Sequence, residues 1–371
     1  MDSVVIVGAG TFGASLAWWL AREGVQVTLV DQFEPGDRRA TSGGETRLIR
    51  CGHGADPGYT ESARRARTLW RELEAESGAD LLIECGLAWF ARRSDGWEAA
   101  SEETMRAQGI PVERLGVEEG TRLFPSFRGE DLEFLLHEPE AGVLRAQRAT
   151  ETLARQAAAH GATVVRGRAR PEGAAVVLDD GERLEADAVV WACGGWLAEL
   201  FPRDVTLSTT HQDLFFLDGG EPWTRAPGWV DYDGAVYGTG DLDGLGVKGA
   251  PDLEGPPLAP DAELPPVDPA NERWIRDYFA RRFPALAEAP LKGSTSCRYE
   301  LSPDSHFVAA PHPEHPGVWL LGGGSGHGFK HGPAMAERMA AALRGGEPMP
   351  ERFKLGVRAV GQSMRTSGSG R

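Results

Sequence analysis

Three glycines near the start of the chain have the spacing of a nucleotide-binding turn. Gly8, Gly10 and Gly13 form a G-x-G-x-x-G motif that directly follows an apolar β-branched run at residues 4–7. Glycine permits a tight turn and a close approach to a pyrophosphate, whose charge the N-terminus of the following helix stabilises. Asp31 ends a second apolar run 18 residues after Gly13, where an acid can accept hydrogen bonds from an adenosine ribose. The pattern predicts a dinucleotide cofactor but does not distinguish FAD from NAD.

The cysteines give no sign of a metal centre. Cys51, Cys85, Cys193 and Cys297 are the only four in the sequence, and none of them forms a C-x-x-C pair. Zinc sites normally use such pairs, so we expect no metal site. Without a secretory signal the thiols are expected to be reduced, and a buried cysteine packs as a small hydrophobic residue.

Lysine is rare in this chain. Lys248, Lys292, Lys330 and Lys354 are the four lysines among 39 basic residues, and the other 35 are arginines. Each lysine is therefore a candidate for a specific role, although a solvated surface position is the ordinary one for this residue.

Three further segments carry a more specific signal. They are A-T-S-G-G-E-T-R-L-I-R at residues 40–50, S-C-R-Y-E-L-S-P-D at 296–304 and G-G-G-S-G-H-G-F-K at 322–330. Together they resemble the D-amino-acid-oxidase superfamily of flavoproteins, most closely the group of monomeric sarcosine oxidase and N-methyltryptophan oxidase, over nearly the whole chain. The resemblance implies FAD as the cofactor. The cofactor-binding residues expected on this basis are Gly8, Gly10, Gly13, Asp31, Thr41, Ser42, Arg47, Cys297, Gly324, Gly326, Gly328 and Lys330.

The resemblance also implies that the FAD is covalently bound. In this group, the cysteine of the C-x-Y motif carries the flavin through a thioether to its 8α-methyl, and Cys297 has that position. A thiolate is a strong nucleophile, so the bond is chemically reasonable. The alternative is that Cys297 is a buried strand cysteine beside a noncovalent FAD.

Four basic residues acquire roles from the resemblance. Arg47 is expected close to the flavin ring, where its charge stabilises the reduced flavin. Arg50 and Lys330 are expected to bind the substrate carboxylate, which a guanidinium can pair bidentately. Lys248 resembles the lysine that activates oxygen beside the flavin. The alternatives are salt-bridged surface arginines and a solvated strand lysine.

The remaining candidate residues concern the substrate. Tyr237 and Tyr299 fit as aromatic walls of the cavity. The group has histidines where this chain has Gly43–Gly44 and Asp252, and these changes disfavour sarcosine itself. Asp252, as a third catalytic candidate beside Lys248 and Arg47, faces the amine of a cyclic amino or imino acid in one interpretation. In the other it is exposed at the start of a loop at residues 251–269 that holds seven prolines.

These candidate residues lie far apart in the sequence, so the helices and strands must bring them together. Hydrophobic periodicity and glycine or proline stops predict helices near 14–23, 60–77, 146–160 and 270–283, and a last helix that begins at Pro333. The βα units lie at the two ends and in the middle of the chain, with antiparallel-looking strands between them. We therefore predict an α/β fold with two domains: a Rossmann-like FAD-binding domain built from residues 1–80, 142–200 and 292–361, and a mostly antiparallel β substrate-binding domain from 81–141 and 201–291. Residues 362–371 are expected to be a flexible tail.

Composition limits the possible partners. The chain has 371 residues, 41% of them hydrophobic and 25% charged, and a net charge of −16. An acidic surface repels phosphate backbones, so nucleic acid is not expected as a partner. No apolar run approaches the ~20 residues of a membrane span, and residues 4–7 are a strand and not a signal peptide. We expect a cytoplasmic monomer whose partners are O2 and a small amino or imino acid.

The predicted function is an FAD-dependent oxidase of a small amine that carries a carboxylate. Its C–N bond is oxidised to an imine, and O2 is reduced to H2O2. The alternatives are a dehydrogenase of the same fold with another electron acceptor, an NAD-dependent dehydrogenase, and a flavin-binding module without catalysis.

Overall fold

The computed structural model describes residues 1–368, and the elements follow the predicted alternation. The helices are α1 (Thr11–Arg22), α2 (Pro57–Ser77), α3 (Trp97–Ala107), α4 (Gly120–Leu123), α5 (Ala146–Ala159), α6 (Leu197–Leu200), α7 (Pro269–Arg282) and α8 (Gly332–Leu343). The strands are β1 (Ser3–Val7), β2 (Gln26–Asp31), β3 (Thr46–Ile49), β4 (Leu82–Ile83), β5 (Leu87–Ala91), β6 (Glu113–Leu115), β7 (Phe134–Glu138), β8 (Gly142–Arg145), β9 (Thr163–Arg166), β10 (Ala169–Glu172), β11 (Ala175–Leu178), β12 (Arg183–Leu184), β13 (Ala188–Trp191), β14 (Ser208–Leu217), β15 (Gly228–Asp231), β16 (Val236–Thr239), β17 (Val247–Pro251), β18 (Leu291–Leu301), β19 (Val308–Pro311) and β20 (Val318–Gly322).

A six-stranded sheet is built from separated parts of the chain. Its order is β19-β20-β13-β1-β2-β9, and all neighbours are parallel except β19 and β20. Parallel strands need crossover connections, which the helices and the inserted segments supply. The order confirms a Rossmann-like sheet assembled from discontinuous segments.

Helix α1 follows the first strand and is almost fully buried. Eleven of its twelve residues are buried, because it packs between α5 and α8 on one face of the sheet. The apolar sequence of α1 matches this position, since a helix surrounded by protein has no face that must be polar. The N-terminus of α1 is thereby held rigidly at the carboxyl end of β1.

The second large sheet of the fold has eight strands. Its order is β18-β14-β17-β16-β15-β5-β7-β6, and its neighbours are antiparallel except β15 and β5. Helix α7 covers it with an aromatic core that includes Trp223, Trp229, Phe279 and Phe283. The mostly antiparallel sheet confirms the predicted second half of the fold class. The division of the chain between the two domains stays a prediction.

Several predicted boundaries differ from the structure, and α1, for example, begins at Thr11, three residues before its predicted start. Strand β18 begins at Leu291 and pairs along its length with β14, so it belongs to the eight-stranded sheet and not to the parallel one. Helix α2 begins at Pro57, three residues before the predicted start, because the Asp56 side chain accepts a hydrogen bond from the Tyr59 amide at 3.0 Å. Asp and a following Pro are a favourable start for a helix.

The expectation of a flexible tail is wrong for residues 364–366. Met364, Arg365 and Thr366 are buried, with 8%, 7% and 5% of their surfaces exposed. The polar, glycine-rich sequence gives no hint of this, because their partners lie far away in the chain. Residues 369–371 of the predicted tail lie outside the described residues. No helix within residues 1–368 combines the length and apolar character that crossing a membrane requires.

Candidate active site

The glycine turn between β1 and α1 is shaped by close packing. Gly8 has a φ of 110°, and a Cβ there would lie 2.3 Å from the Ala192 carbonyl oxygen. A Cβ on Gly13 would lie 1.8 Å from the Gly8 carbonyl oxygen, so the helix can approach the strand only without a side chain. Gly10 is the N-cap of α1 and borders a cavity of about 320 Å³.

Asp31 ends β2 at the edge of the same cavity. Its carboxylate accepts hydrogen bonds from the Ala9 amide at 2.6 Å and from the Phe33 amide at 2.7 Å. Burial raises the pKa of Asp31, while these two amides and Arg166 lower it. The carboxylate thus fixes the turn and faces the cavity, as the predicted contact with a ribose requires.

Seven parts of the chain line the larger cavity. They are the β1–α1 turn, the end of β2, the loop before β3, residues 167–169, residues 192–200, the end of β18, and β20 with the loop after it. Of the residues predicted to bind the cofactor, those that line it are Gly8, Gly10, Asp31, Thr41, Ser42, Arg47, Gly324, Gly326 and Gly328. Gly13, Cys297 and Lys330 do not line it. Gly13 acts through the packing described above, and the other two lie nearby.

Two residues on β18 were missed by sequence reasoning although they line this cavity. Arg298 is 2% exposed, and its guanidinium donates to the carbonyl oxygens of Arg39 and Ala262. Glu300 accepts a hydrogen bond from the Gly324 amide at 2.8 Å, and burial raises its pKa. The Arg298 Nε and Glu300 Oε2 atoms have no partner in the part of the chain that the structure describes. The two-residue period of a strand was the available signal, since it turns these two residues to the same side.

A smaller cavity of about 50 Å³ adjoins the larger one. The two share Arg47, Tyr299, Gly326 and Phe329 as lining residues. The other residues around the smaller cavity are Leu48, Arg50, Val230, Tyr237, Asp252, His327, Lys330 and Arg365. The structure therefore brings together every residue predicted to bind substrate.

Arg50 and Lys330 bring positive charge to the smaller cavity without a carboxylate partner. Arg50 is 6% exposed and donates to the carbonyl oxygens of Gly52 and, at 3.2 Å, Met364. Lys330 is 2% exposed, and its Nζ donates to the His327 carbonyl oxygen at 2.8 Å. Burial lowers the pKa of Arg50 to about 10, so the guanidinium is charged at neutral pH. Burial and Arg50 together hold the pKa of Lys330 well below its ordinary value. A buried cation without a partner is costly, so the cavity favours an anion.

Tyr237 and Tyr299 form one wall of the smaller cavity. Their hydroxyl groups are 3.1 Å apart, within hydrogen-bond distance. Burial raises the pKa of both phenols, so both are neutral at physiological pH. The wall is therefore aromatic and uncharged.

Arg47 and Lys248 lie next to this wall. Arg47 lines both cavities and holds the loop before β3 through the carbonyl oxygens of Thr41 at 3.2 Å and Gly43 at 2.7 Å. Lys248 is 2% exposed, and its Nζ lies 3.3 Å from the Thr46 carbonyl and 5.2 Å from the centre of the Tyr237 ring. Burial, and next the charge of Arg47, lower the pKa of Lys248 to about 8. Lys248 is thus not a solvated surface lysine.

The sequence that forms these two cavities matches a known protein family. The model of the DAO family, described as FAD dependent oxidoreductase, matches residues 3–342. This chain belongs to the DAO family. Its enzymes use FAD, and the chain is accordingly an FAD-dependent oxidoreductase.

Individual members of the family are similar along most of their length. The chain is 29% identical over 356 residues to monomeric sarcosine oxidase of Bacillus sp. (strain NS-129), with 91% of each chain covered. It is 26% identical over 372 residues to N-methyl-L-tryptophan oxidase of Yersinia pestis (strain Pestoides F), with 94% of this chain and 96% of that one covered. The fold is similar to the crystal structure of L-proline dehydrogenase from P. horikoshii, with a TM-score of 0.83, 21% identity and 95% and 96% coverage. The resemblance to the sarcosine-oxidase group is thereby confirmed.

The larger cavity of this DAO-family enzyme fits FAD. The N-terminus of α1 lies at this cavity, where its dipole favours a pyrophosphate, and Asp31 lines the same cavity, where an acid can meet a ribose. The unpartnered Arg298 Nε and Glu300 Oε2 atoms are further polar groups for a ligand. FAD dependence agrees with these residues, and we interpret the cavity as its site.

Cys297 lies close to the cavity but outside its lining. It is 8% exposed and packs with Tyr299 and Tyr237 on the inner face of β18. Burial raises the pKa of its thiol, while the charges of Arg47 and Lys248 lower it. Burial has the larger effect, so the pKa of the thiol is raised overall. The covalent bond to FAD stays a prediction.

Asp252 is buried and has an arginine partner. It is 6% exposed and lines the smaller cavity, so the alternative of an exposed loop residue is wrong. One oxygen of its carboxylate forms an ion pair with Arg365, so an amine would meet a carboxylate that already has a cationic partner. The contact with the amine stays a prediction. Burial raises the pKa of Asp252, and Arg365, Arg50 and Lys248 oppose the shift. The returning C-terminal segment provides this partner, which the sequence does not reveal.

Three histidines form a cluster behind Lys330 that the sequence analysis missed. Each of His53, His327 and His331 has one ring nitrogen without a partner among residues 1–368, and one nitrogen of each ring lies within 4.8 Å of the others. Their other ring nitrogens meet the carbonyl oxygens of Cys51 and Ser305 and the Ser62 hydroxyl. Burial, and next the charge of Lys330, lower the pKa of all three rings, so they are neutral. The charges of Lys330 and Arg50 oppose a bound metal ion, and we interpret the cluster as a neutral wall.

Proposed function

We propose that the chain is a monomeric oxidase of a small amine that carries a carboxylate, namely a secondary or cyclic amino or imino acid. Oxidation removes two electrons and two protons from the CH–NH unit to give an imine, and O2 takes up the same number to give H2O2. FAD, when bound, supplies the transfer of these electrons. The observation that carries the proposal is the pair of buried basic residues, Arg50 and Lys330, in a cavity next to the cofactor cavity.

Several residues in or next to the smaller cavity have a task in this reaction. Arg50 binds the carboxylate as a bidentate partner, and Lys330 adds a further donor. Tyr237 and Tyr299 enclose the amine end and exclude water. Arg47, which lines both cavities, supplies positive charge at their junction. Lys248 holds a positive charge for the reduction of O2 at the side of Tyr237.

The names of the similar proteins support this substrate class. Sarcosine, N-methyl-L-tryptophan and L-proline, which those names contain, are all secondary amines with one carboxylate. One of the names is that of a dehydrogenase, which leaves a second candidate: the same oxidation with an acceptor other than O2. The buried Lys248 favours the oxidase.

The test compares acids with the matching amines. Under anaerobic conditions, we expect proline and pipecolate to bleach the flavin, and pyrrolidine and piperidine to do so poorly. Arg50→Ala should lower kcat/KM by about 30- to 150-fold, which corresponds to ~2–3 kcal/mol for a charge-assisted pair. Arg65→Ala, at a surface pair with Glu337, serves as the control. Equal rates for an acid and its decarboxylated amine would overturn the carboxylate site.

The electron acceptor is tested separately. After anaerobic reduction, an oxidase regains its yellow colour rapidly in air and forms one H2O2 for each substrate oxidised. A dehydrogenase is reoxidised slowly by air and rapidly by an artificial electron acceptor.

A further inference from the structure

The C-terminal segment of residues 363–366 returns to the substrate cavity and is anchored there. The Tyr232 hydroxyl donates to the Ser363 carbonyl oxygen at 2.9 Å, and the Thr366 hydroxyl donates to the Tyr232 carbonyl oxygen at 3.1 Å. Arg50 donates to the carbonyl oxygen of Met364 at 3.2 Å. The segment is therefore attached both to the turn after β15 and to the proposed carboxylate-binding residue.

Arg365 extends from this segment into the smaller cavity. Its guanidinium pairs with the Asp252 carboxylate and donates to the Asp252 carbonyl oxygen at 3.0 Å. Its Cζ lies 4.9 Å from the centre of the Tyr299 ring. A Cβ on Gly326 would lie 2.3 Å from the Arg365 Cδ, so the glycine at 326 makes room for this side chain. Arg365 thus has a fixed position between the substrate cavity and solvent.

The ion pair between Arg365 and Asp252 changes the charge that a substrate meets in the smaller cavity. Without Arg365, the Asp252 carboxylate would attract the ammonium of a zwitterion. With Arg365 in contact, the two charges cancel, and Arg50 and Lys330 remain for one substrate carboxylate. The amine end then meets only neutral phenols and the paired carboxylate, which favours binding of the uncharged amine.

The ion pair between Arg365 and Asp252 also limits the space in the smaller cavity. The smaller cavity measures about 50 Å³. At roughly 10–15 Å³ for each water-sized site, such a volume holds about four waters, which is the scale of a small amino acid. The Arg365 side chain closes the cavity on the side of Tyr299, so removing it beyond Cβ enlarges the site there.

We propose that Arg365 is a specificity-determining residue of the substrate site. It restricts the site to a small amine with one carboxylate, because it fills the space beside Tyr299 and neutralises Asp252. The inference rests on the proposed function, since it assumes that the smaller cavity binds the carboxylate.

The size limit is tested by ligand binding to the flavin-loaded enzyme, without turnover. Acetate and benzoate are titrated, and binding is read from the flavin absorbance spectrum. In Arg365→Ala, we expect the affinity for benzoate relative to acetate to rise at least about tenfold, the scale of a change in pocket size. The matched control is Arg358→Ala, which removes a buried arginine of the same C-terminal region that pairs with Asp304, outside the cavity. Its affinity ratio should not change.

The neutralising role is tested by the pH dependence of flavin reduction. Arg365→Ala leaves Asp252 unpaired, so its profile should gain an ionisation that is absent from the wild type and from the Arg365→Ala/Asp252→Asn double variant. The charged or titratable groups that face Asp252 are Arg365, Arg50, Lys248, Tyr237 and Tyr299. Arg365→Met keeps most of the side-chain volume. Its pH profile should show the new ionisation, whereas its affinity for benzoate relative to acetate should stay that of the wild type. If Arg365→Ala does not fold, the Arg365→Ala/Asp252→Asn double variant, which leaves no unpaired carboxylate, replaces it in the size test.

The outcomes separate the two proposals. If carboxylates bind and the benzoate-to-acetate ratio is the same in wild type and in a fully flavinylated Arg365→Ala, the role of Arg365 is overturned and the carboxylate site stands. If neither carboxylates nor amino acids perturb the wild-type flavin, both proposals fail.

Discussion

Lys248 lies in surroundings that are unusual for a lysine. Its ammonium is buried between Thr46 and the Tyr237 ring, with Arg47 as a second nearby cation. Charge held in a dry site stabilises a developing anion more strongly than charge in water. We therefore expect Lys248→Met to slow reoxidation of the flavin by O2 by roughly 10²-fold, if the ammonium contributes ~3 kcal/mol. Anaerobic reduction by substrate should change far less.

The control for this variant is Lys292→Met, because Lys292 bonds to Asp241 and Gly244 away from the cavities. Both variants are compared by mixing the reduced enzyme with O2 and following the flavin absorbance. Unchanged reoxidation in Lys248→Met would remove this residue from the reaction with oxygen.

The pKa of Lys248 gives a separate prediction. The pKa of about 8 means that the ammonium form is present below pH 8 and is lost as the pH rises above it. If the charged form promotes reduction of O2, reoxidation should be faster at low pH and slower at high pH, with a midpoint near that value. Stopped-flow reoxidation across this range should show the decrease in the wild type and a flat profile in Lys248→Met. A rate that rises with pH would contradict the assignment.

Cys297 is the residue that decides how the cofactor is held. Its thiol is buried, which raises its pKa, and the charges of Arg47 and Lys248 oppose this rise without cancelling it. We expect the yellow colour to stay with the protein after acid precipitation, and Cys297→Ser to release it into the supernatant. Cys85→Ser, at a free cysteine outside both cavities, should keep the colour bound. Colour in the supernatant of the wild type would end the covalent assignment.

At the scale of elements, the turn from β1 into α1 fixes the cofactor site. Gly13 lies in the first turn of α1, and any side chain there would collide with the Gly8 carbonyl oxygen. Gly13→Ala must push the helix away from the strand, which displaces the amides that face the cavity. We expect the ratio of flavin to protein absorbance after purification to fall at least about fivefold, since small displacements at a binding site are costly.

A matched substitution separates this effect from the general cost of replacing glycine. Gly293 on β18 has no atom within 4 Å of its ideal Cβ position. Gly293→Ala should therefore retain full flavin content. Equal flavin content in the two variants would show that the close packing at Gly13 does not control the site.

At the scale of the whole molecule, the cofactor cavity joins elements of both large sheets. Its lining comes from β1 and β20 of the parallel sheet and from β18 of the antiparallel one. A ligand that binds only the folded state stabilises it by about 2.7 kcal/mol at a concentration of 100 Kd. For a chain of this size, we expect FAD to raise the Tm by about 5 °C.

The measurement uses Cys297→Ser, in which FAD is expected to be exchangeable. Thermal unfolding is followed with and without added FAD, and with FMN as the control that lacks the adenosine half. An equal shift with FMN would mean that Asp31 and the glycine turn contribute little to binding.

The sequence by itself determined the features that depend on neighbours along the chain. A strand, a glycine turn and a buried helix follow one another within residues 3–22, so hydrophobic periodicity and Gly8, Gly10 and Gly13 were sufficient to predict them. The short segments that contain Arg50 and Lys330 were identified instead by their resemblance to a known family. The same resemblance predicted that the two residues meet at one cavity.

Tertiary structure alone decided what covers the substrate cavity. The polar, glycine-rich C-terminal sequence has the composition of a flexible tail, yet Arg365 is buried against Asp252, 113 positions earlier in the chain. The same holds for the histidine cluster, in which His53 lies far from His327 and His331 in the sequence. Composition and periodicity report on the immediate surroundings of a residue, whereas an ion pair between distant segments depends on how the sheets and loops pack. That packing places Arg365 in the smaller cavity, because only the folded chain brings the Asp252 carboxylate to this arginine.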